Sequence, residues 1–169
     1  MIKQKLSAKE QAWLLYPRSL TARLKANCRE FHIDVLKQYY RLATHQEAHL
    51  LSIMARSRVW VREVVLWADE QAMIVARSVI PCTTLTGKEQ RLCYLGEKSL
   101  GGYLFTHRAW HREPFVISKV SLQQFLEEPY PRYAFPMQQH LWARRSVSFL
   151  SAKPLLLTEV FLPAVFQLP

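Results

Sequence analysis

The chain has only four glycines among its 169 residues, and this scarcity excludes the common phosphate-binding loops. Such loops need several glycines at fixed spacing, because glycine lets the backbone approach a phosphate group closely. The four glycines, at positions 87, 96, 101 and 102, match neither of the glycine-rich fingerprints. We therefore expect no nucleotide-binding loop of these types.

Cysteine is scarce as well, with Cys28, Cys82 and Cys93 as the three examples. An odd number of cysteines without Cys-x-x-Cys spacing favours reduced thiols, as in a cytoplasmic protein. Structural, buried cysteines are the simplest interpretation of all three.

Long apolar runs are also missing, although half of the residues are hydrophobic. No uncharged run approaches the ~20 residues that a membrane-spanning helix needs. The basic start, residues 1–5, is not followed by the apolar segment of a secretory signal. We expect a single domain over residues 1–169, located in the cytoplasm and without stable membrane insertion.

Acidic residues are few, with 13 against 23 lysines and arginines, so the formal net charge is +10. Such a charge suits nucleic acid or a small polyanionic substrate. The basic residues are scattered, however, and no zinc-finger spacing, RNA motif or recognition helix is evident. Nucleic acid is therefore the less favoured partner, and a small anion is the better one.

Periodicity predicts an α+β domain built around an antiparallel sheet. Helices are predicted after the capping residues Ser7 and Ser19 or Thr21, and a helix at 100–105 has Ser99 as its cap. Residues 121–140, which contain three prolines, are expected to form a loop or an inserted surface element. Further helices are predicted at 88–95 and 121–128, and strands at 31–41, 47–54, 57–67, 73–81, 145–151 and 154–162.

One of the most apolar strands contains a glutamate, Glu159. Alternation places Leu157, Glu159 and Phe161 on one face of a strand that is apolar on both faces. A carboxylate there costs several kcal/mol unless a partner or ligand compensates it. The arginines of a second apolar strand, Arg58 and Arg62, are the most plausible compensation. Two apolar strands with opposite charges predict a polar cavity rather than a plain core.

The hairpin that contains Arg62 predicts a second cation. If Leu66 faces Met73, then Arg62 faces Arg77 across the two strands. Like charges directly opposite one another destabilise a sheet unless an anion or a carboxylate such as Glu159 neutralises them. The alternative is that both arginines face solvent from an edge strand.

Metal and nucleophilic chemistry have weak support. His45 with His49, and His107 with His111, are spaced four residues apart, but neither pair has the order of a His-Glu-x-x-His zinc motif. No Gly-x-Ser-x-Gly sequence is present, and no cysteine has a local histidine partner. We expect no metal site.

Five segments together resemble the chorismate pyruvate-lyase family. They are WVREVVL (60–66), ARSVIP (76–81), LGGYLF (100–105), WARRS (142–146) and KPLLLTEVFLP (153–163). The resemblance implies a six-stranded antiparallel sheet whose ligand is enclosed beneath two helical flaps. It also implies conversion of chorismate to 4-hydroxybenzoate and pyruvate, the first step of ubiquinone biosynthesis, by a monomer without metal or organic cofactor.

The resemblance assigns roles to five residues. Arg62 would hold the ring carboxylate, with main-chain groups near Leu20 and Leu100. Glu159 would form a hydrogen bond with the ring hydroxyl, and Arg77 would hold the enolpyruvyl carboxylate. The family pattern has methionine at position 20, proline at 99 and arginine at 102, where this chain has leucine, serine and glycine. Residues 121–140 form a longer segment than that pattern.

The alternative function is that of a non-catalytic sensor of small molecules, which is not an enzyme. Effector-binding domains of some bacterial transcription regulators resemble the same fold and bind small molecules without converting them. Such domains normally follow a DNA-binding winged helix, for which we see no room before residue 57. This and Glu159 favour the enzyme over the sensor.

Overall fold

A mostly buried antiparallel sheet is the centre of the computed structural model, which describes residues 5–169. The first four residues of the basic start therefore lie outside the described part. The strands run in the order β1-β2-β3-β7-β6-β4, and β5 also pairs with β6. Within residues 5–169 there are seven strands: β1 (Phe31–Leu42), β2 (Arg58–Ala68), β3 (Gln71–Pro81), β4 (Trp110–Arg112), β5 (Val116–Ser121), β6 (His140–Leu150) and β7 (Lys153–Phe161).

The α+β prediction with an antiparallel sheet is confirmed, although the described sheet has seven strands where six were predicted. The difference arises at β6. One edge of this strand pairs with β7. Its other edge is shared, because β4 pairs with residues 148–150 and β5 with residues 140–145. The sheet is therefore six strands wide at any one point. β4 and β5 are both short, and the sequence did not predict either of them.

Serine caps begin the helices where the sequence predicted them. Ser7 forms a capping box with Glu10, Ser19 accepts from the amide of Ala22, and Ser99 accepts from the amide of Gly102. These side chains satisfy amides that have no partner within the helix. The helices are α1 (Ala8–Leu14), α2 (Leu20–Ala26), α3 (His45–Leu51), α4 (Leu100–Thr106) and α5 (Leu122–Phe125), with 3₁₀ helices at Gly87–Tyr94, Pro131–Tyr133 and Pro163–Gln167.

The predicted strand at 47–54 is wrong, because this part of the chain forms α3 and the loop that follows it. Thr44 and Glu47 form a capping box at the start of α3. Arg41 holds the Glu47 carboxylate through two bonds of 2.7 and 2.8 Å. The Thr-x-x-Glu pattern was present in the sequence and would have indicated the helix.

Different helices pack on the two faces of the sheet. On one face, Trp13 and Leu14 of α1 and Leu24 of α2 are buried against β2 and β3. On the other face, Leu122 and Phe125 pack on β2, β3 and β7. Residues 121–140 are therefore irregular as predicted, and they also cover a second core. None of the described helices has the length and apolar character needed to cross a membrane.

Candidate functional site

The strand register places three charged side chains on one face of the sheet. Arg62 pairs with Ser78 across β2 and β3. Two residues away on β3, Ala76 pairs with Glu159, which in turn pairs with Arg144 on β6. Residues paired across a sheet, or two apart on a strand, project to the same face. Arg62, Glu159 and Arg144 therefore share the face that α1 and α2 cover.

A cavity lies between this face and the starts of α2 and α4. Leu20 and Leu100, the first residues of the two helices, are both buried and line it. Arg62 and Glu159 line the same cavity. Arg62 and Glu159 are separated by two strand spacings of about 4.8 Å each and, along the strand direction, by two residues of about 3.4 Å each. Their Cα atoms are therefore roughly 12 Å apart. Four of the five predicted site residues thus meet at one cavity.

Arg62 is a buried cation at the wall of this cavity. The residue is 3% exposed, and its Nη2 donates to the carbonyls of Gly96 and Lys98 at 2.8 and 3.0 Å. Its Nε is buried without a hydrogen-bond partner among the described residues. Burial lowers the pKa of Arg62 to about 10. No described carboxylate forms an ion pair with Arg62, so this guanidinium is suited to bind an external anion.

Glu159 is paired with Arg144. The Arg144 Nε donates to Glu159 Oε2 at 2.6 Å, and Arg144 itself is 3% exposed. The prediction that Arg58 or Arg62 compensates Glu159 is therefore wrong, because an adjacent strand supplies a nearer guanidinium. Arg144 was not recognised as a site residue, although two successive arginines in a strand must place one on each face.

Arg112 is a further cation of the cavity wall that sequence reasoning missed. It extends from β4, which was not predicted, and its Nη2 donates to the Pro17 carbonyl at 3.1 Å. Its guanidinium carbon lies 4.0 Å from the centre of the Phe115 ring. Burial and then the neighbouring Arg144 lower the pKa of Arg112. Arg112 thus adds positive potential where Arg144 is already paired with Glu159.

The prediction that Arg77 shares this site is wrong. At the hairpin turn, Ala68 pairs with Gln71 as the assumed register requires, but Leu66 pairs with Ile74. Met73 is the extra residue of a bulge, and one extra residue turns every later side chain to the other face. Arg77 is consequently opposite Glu63.

Glu63 and Arg77 instead form part of a polar cluster on the far face. Arg77 Nε donates to Glu63 Oε1 at 2.9 Å, and Glu63 is completely buried. The Tyr130 hydroxyl donates to Glu63 Oε2 at 2.8 Å, and the Glu127 amide donates to Oε1 at 3.2 Å. Burial and the Glu63 carboxylate raise the pKa of Tyr130. This cluster fastens the irregular segment to the sheet.

We expect replacement of Arg77 by methionine to destabilise the protein by about 3–5 kcal/mol, because it leaves the Glu63 charge buried and uncompensated. Urea denaturation measures this loss. The double variant Arg77→Met with Glu63→Met is the control and should recover part of the stability. Lost ligand binding at unchanged stability would instead show that Arg77 acts at the cavity.

The histidine pairs are not associated with this cavity. His45 and His49 both lie in α3, where a turn and the start of the strand at 47–54 were predicted. His107 Nε2 is 3.3 Å from Glu89 Oε1, and His111 stacks on Phe149. Within residues 5–169, no group of three or more histidine, cysteine, aspartate or glutamate side chains is arranged to hold a metal ion.

Known proteins match the chain over nearly its whole length. Residues 3–168 match the model of the family described as chorismate lyase. A probable chorismate pyruvate-lyase of Methylococcus capsulatus is 36% identical, over 94% of this chain and 98% of that protein. A chorismate pyruvate-lyase of Hamiltonella defensa is 38% identical, over 90% of this chain and 77% of that protein.

Solved structures share the fold at lower identity. The ligand-binding domain of a GntR-family transcriptional regulator from Bordetella bronchiseptica has a TM-score of 0.58 and 16% identity, covering 79% of this chain and 85% of that chain. The effector domain of PhnF from Mycobacterium smegmatis has a TM-score of 0.59 and 15% identity, covering 87% of this chain and 90% of that chain. At these identities the likeness shows the fold alone.

Proposed function

We propose that this chain, which belongs to the chorismate lyase family, converts chorismate to 4-hydroxybenzoate and pyruvate. One observation carries the proposal: Arg62, buried and without a described acidic partner, lines the same cavity as Glu159. A substrate with a ring carboxylate and a ring hydroxyl can satisfy both groups at once. The similarity to regulator domains concerns the fold, so it does not favour a sensor over an enzyme.

Arg62 holds the ring carboxylate in this proposal. Its Nη2 is already engaged by two loop carbonyls, which fix the plane of the guanidinium. Its buried, unpartnered Nε then gains a charged acceptor, and a charge-assisted hydrogen bond in a desolvated site is a strong one. The main-chain amides of Leu20 and Leu100, at the first position of α2 and α4, have no acceptor within their helices and assist.

Glu159 lies at the opposite end and accepts a hydrogen bond from the ring hydroxyl. In the reaction, the C–H bond at the hydroxyl-bearing carbon and the neighbouring ether C–O bond both break. The ring becomes aromatic, the hydrogen passes to the departing enolpyruvyl group, and pyruvate leaves. Aromatisation supplies the driving force, so orientation and fixed charges are what the protein must add. The hydrogen moves either through Glu159 or directly within the substrate.

The enolpyruvyl carboxylate needs a second cation, and Arg77 is on the wrong face for this role. Arg112 replaces it in the proposal, because it lines the cavity from β4 and has no ion-pair partner among the described residues. Chorismate is a dianion, whereas 4-hydroxybenzoate keeps only the ring carboxylate. Arg112 therefore contacts a group that the aromatic product lacks.

Replacing Arg112 with glutamine should raise KM for chorismate about 10-fold or more and leave the Kd of 4-hydroxybenzoate within about twofold. The expected loss corresponds to one charged hydrogen bond of about 1.5–3 kcal/mol. Steady-state kinetics and product titration measure the two effects. The exposed Arg108→Gln is the control for a change in net charge. Equal weakening of both ligands would contradict this role.

A direct assay tests the function. Purified protein is incubated with chorismate, and 4-hydroxybenzoate and pyruvate are followed by absorbance and by a coupled dehydrogenase. Equal amounts of both products, formed at a rate proportional to enzyme, are expected. Binding of 4-hydroxybenzoate without turnover would support the sensor instead. Failure to bind or convert would overturn both functions.

We place this reaction in the cytoplasm, at the first step of ubiquinone biosynthesis, and assign it to a monomeric single domain. Cys28, Cys82 and Cys93 are all free thiols in the described structure, in keeping with a reducing compartment. Size-exclusion chromatography with light scattering tests the monomer, and a dimer mass would overturn it.

A further inference from the structure

Arg144 joins two parts of the protein that meet at the cavity. On one side its Nε donates to Glu159 Oε2 at 2.6 Å. On the other side its Nη1 donates to the carbonyls of Tyr16 at 2.8 Å and Leu14 at 3.4 Å. Its guanidinium carbon also lies 4.1 Å from the centre of the Phe115 ring. The side chain is thus fixed in several directions at once.

Glu159 is the single acidic residue among the described residues that line the cavity. Four cations line this space: Arg62 from β2, Arg112 from β4, Arg144 from β6 and the exposed Arg18 from the connection between α1 and α2. A carboxylate among several cations can turn toward any of them. Its orientation is therefore defined only if one cation holds it more firmly than the others.

Arg144 holds only one of the two carboxylate oxygens. Its bond is to Oε2, and no described group forms a hydrogen bond with Oε1. Fixing Oε2 leaves Oε1 available to a ligand hydroxyl. The carbonyls of Leu14 and Tyr16 in turn fix Arg144, and they belong to the segment that leads into α2 above the cavity.

We propose that Arg144 is a positioning residue for the reaction, which holds Glu159 with Oε1 turned toward the ring hydroxyl. This inference rests on the proposed function. Arg144 does not need to touch the substrate to act in this way. Its effect passes through Glu159, and a small misplacement of a catalytic group lowers the rate strongly.

A double-mutant cycle separates positioning from a merely structural role. Arg144→Met keeps the length of the side chain and should lower kcat about 10- to 100-fold while changing KM less than about threefold. In a Glu159→Gln background, the same substitution should cost less than about threefold, because the group it positions is already lost. Arg145→Met, at the adjacent residue on the opposite face, is the control and should stay within about twofold of the unsubstituted enzyme.

Two further variants keep the test valid if Arg144→Met folds poorly. Arg144→Lys keeps the buried charge and should retain the circular dichroism spectrum with a reduced kcat. Arg144→Ala should gain kcat when millimolar guanidinium chloride is added, whereas Glu159→Gln should not. A loss of kcat from Arg144→Met that is as large in the Glu159→Gln background as in the unsubstituted enzyme would overturn the inference.

The inference and the proposed function fail differently. If the unsubstituted protein does not convert chorismate, the function fails, and the same cycle is measured on the Kd of 4-hydroxybenzoate. Non-additive losses of affinity would then still support Arg144 as the residue that positions Glu159. Additive losses would overturn it in either assay.

Discussion

Replacement of Arg62 by methionine is expected to lower kcat/KM for chorismate about 100- to 1,000-fold or more, with only a modest loss of stability. The loss follows from removing one partner of a desolvated charge pair, which typically costs about 2–5 kcal/mol or more. Both kcat and the affinity for 4-hydroxybenzoate should fall, because the ring carboxylate is present in substrate and product alike. Steady-state kinetics and product titration measure these losses.

The stability of the Arg62→Met variant distinguishes a binding residue from a structural one. Keeping this guanidinium charged at a buried site that lowers its pKa to about 10 costs roughly 3 kcal/mol. Methionine removes that cost but loses two charge-assisted hydrogen bonds to loop carbonyls, each worth about 1.5–3 kcal/mol. The free protein should therefore lose no more than about 3 kcal/mol of stability, and 4-hydroxybenzoate should no longer raise its Tm.

Arg58→Met is the matched control, since Arg58 is on the same strand but exposed. It should keep its activity and its response to 4-hydroxybenzoate. A loss of stability in Arg62→Met, with nearly normal kcat/KM, would show that Arg62 serves the fold and would remove the basis of the proposed function.

The two charges at the centre of the site were identifiable from sequence because each interrupts an apolar strand. Alternation alone placed Glu159 on the face of Leu157 and Phe161, and the structure places Glu159 and Leu157 at the cavity wall. Serine caps at Ser19 and Ser99 likewise predicted where the covering helices begin. These features are local, so a window of a few residues contains the information.

Arg77 shows what a local pattern does not contain. The two-residue turn at Asp69 and Glu70 has positive φ angles of 48° and 64° and sets the register that the sequence suggested. The bulge at Met73 then shifts this register by one residue, and no turn residue or charge in the sequence marks it. The side chain facing the cavity beside Arg62 is therefore that of Ser78.

Arg112 and Arg144 were missed for a different reason. Arg112 reaches the cavity only because β4 shares an edge of β6, which is a pairing between distant parts of the chain. The strand that carries Arg144 was predicted to begin at residue 145, but it begins at His140. Placing Arg144 within the strand would have shown that one of two adjacent arginines had to face inward.

Replacement of Glu159 by glutamine is expected to lower kcat about 100- to 10,000-fold, the range typical for loss of a group that takes part in proton movement. Glutamine has nearly the same shape and still offers Arg144 Nε an oxygen acceptor. The affinity for 4-hydroxybenzoate should fall only about 10-fold, because a neutral acceptor for the ring hydroxyl replaces a charged one. Single-turnover kinetics at saturating chorismate, together with product titration, separate the two effects.

The same substitution should also destabilise the protein. It leaves Arg144 as a buried cation without a counter-ion, which costs about 3 kcal/mol. Glu63→Gln on the far face is the matched control, since it also removes a buried partner of an arginine and should lose stability but keep kcat. A kcat within a few-fold of normal in Glu159→Gln would show that Glu159 only compensates the charge of Arg144. The hydrogen transfer would then have to occur within the substrate, with Arg62 and Arg112 supplying the orientation and the charge.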